Sequence, residues 1–238
     1  FVLKHLRDKE GRLFRRWRNG EARFPASLND YAFLIQGLLD LYQSDFNPFW
    51  LHTSLTLQRQ LDRLFWDDER GGYFFSEPSD MAMLKRVKLF NDTAIPSGNA
   101  VTALNLLRLG DLTLDPTLTE RAAQIISYQG LLMLSRPSSF SQMLIATDYL
   151  LDRSKEIVLV GLPEDIEARG LLRGLSRAFL PNKVLAWEKF LKPNTPVFPQ
   201  LLSRKRMLRN RATVYVCESN ICQLPAHDLK TVLQLAGE

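Results

Sequence analysis

Apolar side chains recur every three or four positions over most of the first 150 residues, which is the spacing of one face of an α-helix. This pattern predicts five helices. The first begins at Asn29, with Asn29 or Asp30 placed to cap it. The others cover about 48–64, a stretch after Asn99, about 118–134 and about 139–151. Between the second and third helices we expect a turn over 67–72, a short strand over 73–75 and its partner over 84–90.

The pattern changes after Leu151, where short β-branched runs replace the helical spacing. These runs predict strands over 156–161, 183–187 and 212–217, with helices over 163–178 and 228–235. The proline-rich and then basic region 192–210 reads as an exposed loop or one short helix. Strand–helix–strand order predicts a small, mostly parallel α/β unit. We therefore expect two domains, a helical part over 1–152 and an α/β unit over 153–238.

A weak internal repeat lies within the helical part. The string that begins at Ala32 (Ala-x4-Gly-Leu-Leu-x-Leu) returns at Ala100 as Ala-x4-Asn-Leu-Leu-x-Leu, 68 residues later. That offset covers two helices and a loop, so it predicts stacked helical hairpins. Chance similarity between two amphipathic helices is the alternative.

Composition is that of a globular protein, with 45% hydrophobic and 24% charged residues in a chain of 238. The net charge is +5, and basic runs lie at 15–18 and 204–211. Neither run accompanies a nucleic-acid-binding module, so we expect solvated surfaces and no nucleic-acid partner. No apolar stretch is long enough to span a membrane. Two cysteines are too few for a disulfide scaffold, which favours a cytoplasmic setting. Because the chain begins at Phe1, we expect a piece of a longer protein.

The segment 86–99 carries the first candidate chemistry. If it is extended, Arg86, Lys88 and Asp92 lie on one face, because side chains alternate along a strand. Ser97 and Asn99 then stand at the start of the third helix, where backbone N–H groups are free to bind a ligand. The structural alternative is a capping network, in which Ser97 or Asn99 caps the helix and Asp92 bridges Arg86.

A second candidate group is formed by Arg18, Asp30 and Tyr31. In the repeat register, Asp30 and Tyr31 precede Ala32 as residues 98–99 precede Ala100, so both groups stand at the entry of equivalent helices. The two polar groups would therefore converge at one mouth, although a simple helix cap at Asp30 is the alternative.

Other chemistry-bearing residues do not form recognisable sites. The acidic turn 67–69 lacks the alternation of a calcium loop, and the three histidines are scattered. Cys217-x4-Cys222 has neither redox nor metal-knuckle spacing, and we interpret it as a structural pair near a strand end. No phosphate-binding glycine pattern follows Gly161. We expect no metal and no cofactor.

Several motifs occur together in an order that carries a family resemblance. They are Asn-Asp-Tyr-Ala at 29–32, Phe-Trp-Asp at 65–67 with Gly-Gly-Tyr-Phe at 71–74, Arg-x-Lys-x3-Asp-x3-Pro-Ser-Gly-Asn at 86–99, and Tyr-Val-Cys-x4-Cys-x2-Pro at 215–225. Together they resemble the C-terminal region of the thioredoxin-domain-containing family related to spermatogenesis-associated protein 20. The resemblance implies a parent protein with an N-terminal thioredoxin-like domain followed by an (α/α)6 toroid, similar to N-acylglucosamine 2-epimerases and six-hairpin glycosidases. This chain would be a mainly α, partial toroid with the α/β unit at its C-terminal end.

Two functions follow from this reading. One is a non-catalytic platform that docks the thioredoxin-like domain or its client. The other is a carbohydrate-processing or carbohydrate-binding domain. In it Asp30 and Asp92 would act as acid and base beside Arg86 and Lys88, and the remaining candidates would bind substrate: Tyr31, Ser97, Asn99 and Arg18. An incomplete toroid exposes apolar helix faces, so we also expect self-association unless another chain covers them.

Overall fold

The computed structural model describes residues 1–77, 86–189 and 199–237. Its helices are α1 (Val2–His5), α2 (Leu28–Asp45), α3 (Pro48–Phe65), α4 (Gly98–Thr113), α5 (Pro116–Tyr128), α6 (Gly130–Ser135), α7 (Ser141–Leu151), α8 (Ile166–Arg177) and α9 (Leu229–Ala236), with 3-10 turns at Pro137–Ser139 and Gln200–Leu202. The strands are β1 (Phe14–Arg18), β2 (Glu21–Pro25), β3 (Lys155–Val160), β4 (Lys183–Glu188), β5 (Thr213–Glu218) and β6 (Ile221–Cys222). The chain is mainly α with a small α/β part.

The repeat is visible as two helical hairpins, α2–α3 and α4–α5, that turn in the same way. Phe46 and Leu114 both adopt the left-handed conformation, with φ of 57° and 56°. Each is followed by a capping residue, Asn47 or Asp115, and then by a proline that opens the returning helix. These equivalent turns are also 68 residues apart. The offset therefore reflects a repeated structural unit.

Helices α2 and α4 lie side by side and run in the same direction. At their starts, a Cβ placed on Gly98 would lie only 2.4 Å from the side-chain oxygen of Asn29. Further along, Arg108 forms an ion pair with Asp40 at 2.6 Å. Glycine is required at position 98 because any larger residue would push the two helix starts apart. The starts of α2 and α4 therefore lie next to each other.

The larger sheet has the strand order β4-β3-β5-β6 and is mixed. Strands β3 and β4 are parallel, whereas β5 runs antiparallel to both β3 and β6. The prediction of a mostly parallel unit was wrong, because β5 pairs antiparallel with β3. Strand β6 then returns from β5 through a tight turn at Ser219 and Asn220, both of which have positive φ.

The sheet packs against helices on both faces. Val158, Val160, Val184 and Ala186 belong to the core built by α2–α7. The opposite face packs against α8 and α9 through a second cluster that includes Ile157, Leu159, Leu185, Trp187, Val214 and Val216. The two units predicted over 1–152 and 153–238 therefore share a hydrophobic core at their junction.

Several predicted boundaries differ from the structure. The cap of α2 is Ser27, and Asp30 completes a capping box with it. The helix predicted over 118–134 is broken at Gln129 into α5 and α6. Residues 73–75 form only an isolated bridge, from Tyr73 to Trp66. Parts of the strand predicted over 84–90 and of the loop predicted over 192–210 lie outside the described residues.

The sequence patterns did not predict the β1–β2 hairpin, which precedes α2. Its strands pair antiparallel with Arg16 opposite Arg23. Asn19 and Gly20 form the turn, with φ of 53° and 80°. Asn-Gly is a strong hairpin signal, but the arginine-rich flanks hid the usual alternation of apolar and polar residues. None of the helices in the described ranges is long and apolar enough to cross a membrane.

Candidate functional site

The starts of α2, α4 and α7 meet at one end of the helical part, and Asp92 joins two of them. One carboxylate oxygen of Asp92 accepts the N–H of Ser97 at 2.9 Å, at the start of α4. The other accepts the N–H of Gln142 at 2.8 Å, in the first turn of α7. Ser97 caps α4 by accepting the N–H of Ala100. Asp92 thus bonds two helix starts, whereas the capping network expected from the sequence had it bridging Arg86.

Asp30 and Tyr31 are also engaged in local structure. The Asp30 carboxylate accepts the backbone N–H and the hydroxyl of Ser27, both at 2.8 Å. The Tyr31 hydroxyl accepts the N–H of Leu13 at 2.9 Å, and the ring is buried. Burial raises the pKa of Tyr31 above its usual value. Both residues stabilise the entry of α2 and its contact with the chain that precedes it.

Asn99 is fully buried and holds two loop segments in place. Its side-chain oxygen accepts the N–H of Tyr73 at 2.8 Å. Its amide group donates to the carbonyls of Tyr73 and Leu89 at 2.9 and 3.0 Å. Because every bond reaches backbone, Asn99 fixes the 71–75 turn against the 86–90 segment.

Arg86 and Lys88 lie in a cleft of about 870 Å³ between these two segments and the α5–α6 break. Lys88 pairs with Asp67 at 2.6 Å, and this hydrogen bond holds the pKa of Asp67 below its usual value. Arg86 donates to the carbonyls of Ser76 and Leu64, both at 3.0 Å. Burial lowers the pKa of Arg86. The two cations are therefore part of the cleft wall and already have acceptors.

The same cleft has an aromatic lining. The Arg86 guanidinium lies 4.0 Å from the centre of the Phe74 ring, and the Lys88 ammonium lies 4.9 Å from that of Tyr128. Gln129 also lines the cleft, and its buried side-chain oxygen has no hydrogen-bond partner among the described residues. Sequence reasoning missed the aromatic lining because its members come from separate elements: Trp66, Phe74, Phe90 and Tyr128.

Arg18 is apart from these groups. It lies on β1, exposed at the end of the hairpin, where it stands opposite Glu21. The structure thus brings together Arg86, Lys88 and the loop segments held by Asn99, while Asp92 and Asp30 each serve helix starts.

A second cavity, of about 550 Å³, lies where α4 and α7 end and β3 begins. Asp111 accepts hydrogen bonds there from Tyr149 at 2.6 Å and Ser154 at 3.0 Å. Burial raises the pKa of Asp111. Glu156 is only 3% exposed and accepts the N–H of Asn220, yet burial still raises its pKa to about 7. A carboxylate directly before the apolar run 157–160 was the available sequence signal for this group.

Cys217 and Cys222 stand opposite each other on β5 and β6 and form a disulfide. This agrees with the predicted structural pair near a strand end. Within the described ranges, no group of three or more His, Cys, Asp or Glu side chains is arranged to hold a metal ion.

The chain belongs to the class of proteins built from helical hairpins packed on a small mixed sheet. Its sequence is also similar to those of several known proteins. It is 36% identical to spermatogenesis-associated protein 20 of Rattus norvegicus over 209 residues, which is 84% of this chain and 26% of the rat protein. The Homo sapiens protein of that name is also 36% identical, over 207 residues and the same shares. An uncharacterised protein of Caenorhabditis elegans is 29% identical over 220 residues, covering 91% of this chain and 29% of its own length.

The chain is therefore homologous to a segment of spermatogenesis-associated protein 20. It spans about a quarter of the length of the curated relatives it matches. No protein-family model matches it.

The bonds of Asp92 predict the effect of its substitution on stability. In Asp92→Asn the amide NH₂ would face one of the two backbone N–H donors, and the charge beside two helix starts would be lost. We expect the free energy of unfolding to fall by about 1–3 kcal/mol. Urea unfolding measures this, with Asp68→Asn on the exposed turn as a control within about 0.5 kcal/mol of the parent. Equal effects of the two substitutions would contradict the role of Asp92.

The raised pKa of Glu156 predicts a pH dependence. The folded state favours the protonated carboxyl, so its contribution to stability is complete below about pH 4.5 and is lost as pH rises through about 7. Glutamine cannot ionise. We expect Glu156→Gln to be more stable than the parent by on the order of 1–3 kcal/mol near pH 8, and nearly equal near pH 4.5.

Urea unfolding at both pH values checks this, with the exposed Glu164→Gln as the control. A Glu156→Gln protein that is less stable than the parent near pH 8 would show that the charged carboxylate is the favoured form.

Proposed function

We propose that this chain is a non-catalytic docking platform for other parts of a longer protein. The observation that carries the proposal is a set of exposed apolar side chains on α6 and α7. Leu131 and Leu134, three residues apart on α6, are 85% and 82% exposed. Ile145 and Leu151 on α7 are exposed as well. We call these four residues the leucine surface. Leucines that stay this exposed favour a site that another protein surface covers.

The state of the candidate catalytic groups supports the same proposal. Both oxygens of Asp92 accept backbone N–H groups, and Asp30 is occupied in a capping box. Carboxylate oxygens that already accept hydrogen bonds at helix starts are not free to contact a substrate. The geometry therefore favours structural roles for the two carboxylates over a catalytic pair.

The occupant we propose is a thioredoxin-like domain, as the family resemblance implies. The chain matches about a quarter of the length of its relatives, so the other three quarters of such a protein could supply the domain that docks here. The parallel row α2, α4 and α7, with α3 and α5 outside it, is also the arrangement expected of an arc of an (α/α)6 toroid. A toroidal parent in a cytoplasmic setting is part of this proposal.

The leucine surface yields a direct test. We expect the chain alone to self-associate as its concentration rises, and an added thioredoxin-like domain from a longer relative to suppress this by binding. Leu131→Ser/Leu134→Ser should abolish both effects, because it removes the exposed apolar area. Light scattering and sedimentation velocity measure them. Ile221→Ser/Leu224→Ser, equally exposed on another surface, is the matched control.

A chain that stays monomeric and binds no thioredoxin-like domain would contradict the platform. Equal loss of association in both double variants would show that the leucine surface has no special role.

A carbohydrate-binding function is the second candidate, and the aromatic cleft around Lys88 favours it. Aromatic faces stack on sugar rings, and Asp67, Arg86 and Gln129 supply polar groups at the edge of those faces. In this reading Arg86 and Lys88 would orient the sugar, with Asn99 and Ser97 positioning the segments around it.

Thermal denaturation with mono- and disaccharides tests this candidate. A sugar at about 100 times its Kd should raise the melting temperature by about 5 °C. We expect Trp66→Leu to remove the ligand-induced shift, while Trp50→Leu, on α3 outside the cleft, keeps it. Absence of any shift in the parent would eliminate the candidate. Activity on a proven substrate that survives Asp92→Asn would remove the catalytic role predicted for Asp92.

A further inference from the structure

The charge of the chain is concentrated in its first 25 residues. These contain eight Lys or Arg and three Asp or Glu, which gives a net charge of +5. The whole chain also carries +5, so the remaining residues hold 23 basic and 23 acidic side chains and are neutral. Most of this basic segment is the β1–β2 hairpin and the turn that leads to it. The hairpin is therefore the local source of positive potential.

The hairpin arginines are exposed and poorly compensated. Arg16 and Arg18 alternate along β1 and so lie on one face, and Arg23 stands directly opposite Arg16 on β2. We call these three residues the arginine face. Arg23 approaches Glu21 at 3.6 Å, with both side chains largely exposed. For Arg16 and Arg18, no salt bridge is formed within the described part of the chain.

Two local features of the hairpin are unfavourable without a ligand. Like charges directly opposite each other on paired strands destabilise a ribbon, and Arg16 and Arg23 form such a pair. Both guanidinium groups lie near the ring of Phe24, at 4.6 and 5.9 Å from its centre. Phe24 is 54% exposed and has φ of 65°, a conformation that a bulky residue rarely adopts. An anion bound between the two arginines would relieve their repulsion, and the ligand that carries it could pack against the exposed ring of Phe24.

A cavity of about 580 Å³ adjoins this face. Arg15, Arg16, Phe24 and Ser76 are among the residues that line it. Ser76 is only 6% exposed, and its hydroxyl has no hydrogen-bond partner among the described residues. The cavity thus combines guanidinium groups with an aromatic ring, which suits carboxylates, and an unpaired hydroxyl is buried in its wall.

We propose that the arginine face and its cavity bind an extended acidic polypeptide segment. Arg16 and Arg18 are two residues apart on a strand, so their side chains are spaced by about 7 Å. Acidic residues at alternate positions of an extended peptide have the same spacing, and each carboxylate can accept two guanidinium hydrogen bonds. Glu77 also lines the cavity and Glu21 stands opposite Arg18, so the ligand that fits is one whose negative charges are spaced apart, as in a peptide with alternating acidic residues.

This binding surface uses residues that the leucine surface does not, so the two proposals can fail separately. The probe is a fluorescein-labelled peptide of about eight residues with alternating Glu and Ser, measured by fluorescence anisotropy at about 50 and 300 mM NaCl. We expect saturable binding that weakens with salt, and no binding of the matched Gln-Ser peptide. Arg16→Gln/Arg18→Gln/Arg23→Gln should weaken binding at least about tenfold.

The matched control is Arg59→Gln/Arg63→Gln/Arg177→Gln, which removes the same charge from exposed helix positions and should change the affinity less than about threefold. Equal weakening in the two triple variants, or no binding by the parent chain, would overturn the proposal. Tighter binding of a single-stranded oligonucleotide of equal charge would replace the peptide with a nucleic acid. If the hairpin variant has a lower melting temperature than the parent, its weaker binding could reflect unfolding. The comparison of the Glu-Ser and Gln-Ser peptides on the parent chain then tests the proposal, because equal binding of the two peptides would overturn it.

Discussion

The starts of α4 and α7 both direct backbone N–H groups at one carboxylate, that of Asp92. Helix starts have unsatisfied donors, and a single acceptor that serves two of them holds the two starts close together. Tyr149 then reaches Asp111 near the other end of the pair. Three residues join α7 to β3, so the position of α7 also determines where the sheet begins.

The sheet depends on that placement because it is the middle layer of the C-terminal half. Strand β3 lies between β4 and β5, with helices on both faces, and this accounts for a run of apolar residues with no polar alternation. Glu156 is the exception within the run. It is desolvated beside Asp111, and one backbone N–H from Asn220 only partly compensates for the lost water. The raised pKa is therefore a consequence of packing a charged strand end against α4 and α7.

Much of the fold could be predicted from the sequence because apolar spacing directly reports which face of a helix is buried. The 68-residue repeat also located two equivalent hairpins, and Pro48 and Pro116 mark their returning helices. What failed had non-local causes. The break at Gln129 lies beside the 86–90 segment, where Tyr128 stacks on Phe90, and β5 pairs antiparallel with a strand more than fifty residues earlier in the chain. The arginine-rich hairpin lacked a hydrophobic pattern altogether.

The candidate site was harder to predict, because residue type indicates chemistry only when the side chain is free to act. Asp92 and Asn99 have the right groups for catalysis, yet their hydrogen bonds end on backbone atoms. The unsatisfied features are elsewhere: a buried amide oxygen at Gln129, a buried hydroxyl at Ser76 and two opposed arginines on the hairpin. All three border clefts or exposed surface. Unsatisfied polar groups are unfavourable in the isolated chain, and a bound partner that supplies the missing hydrogen bonds would remove that penalty. This distribution favours recognition over chemistry as the property that the fold provides.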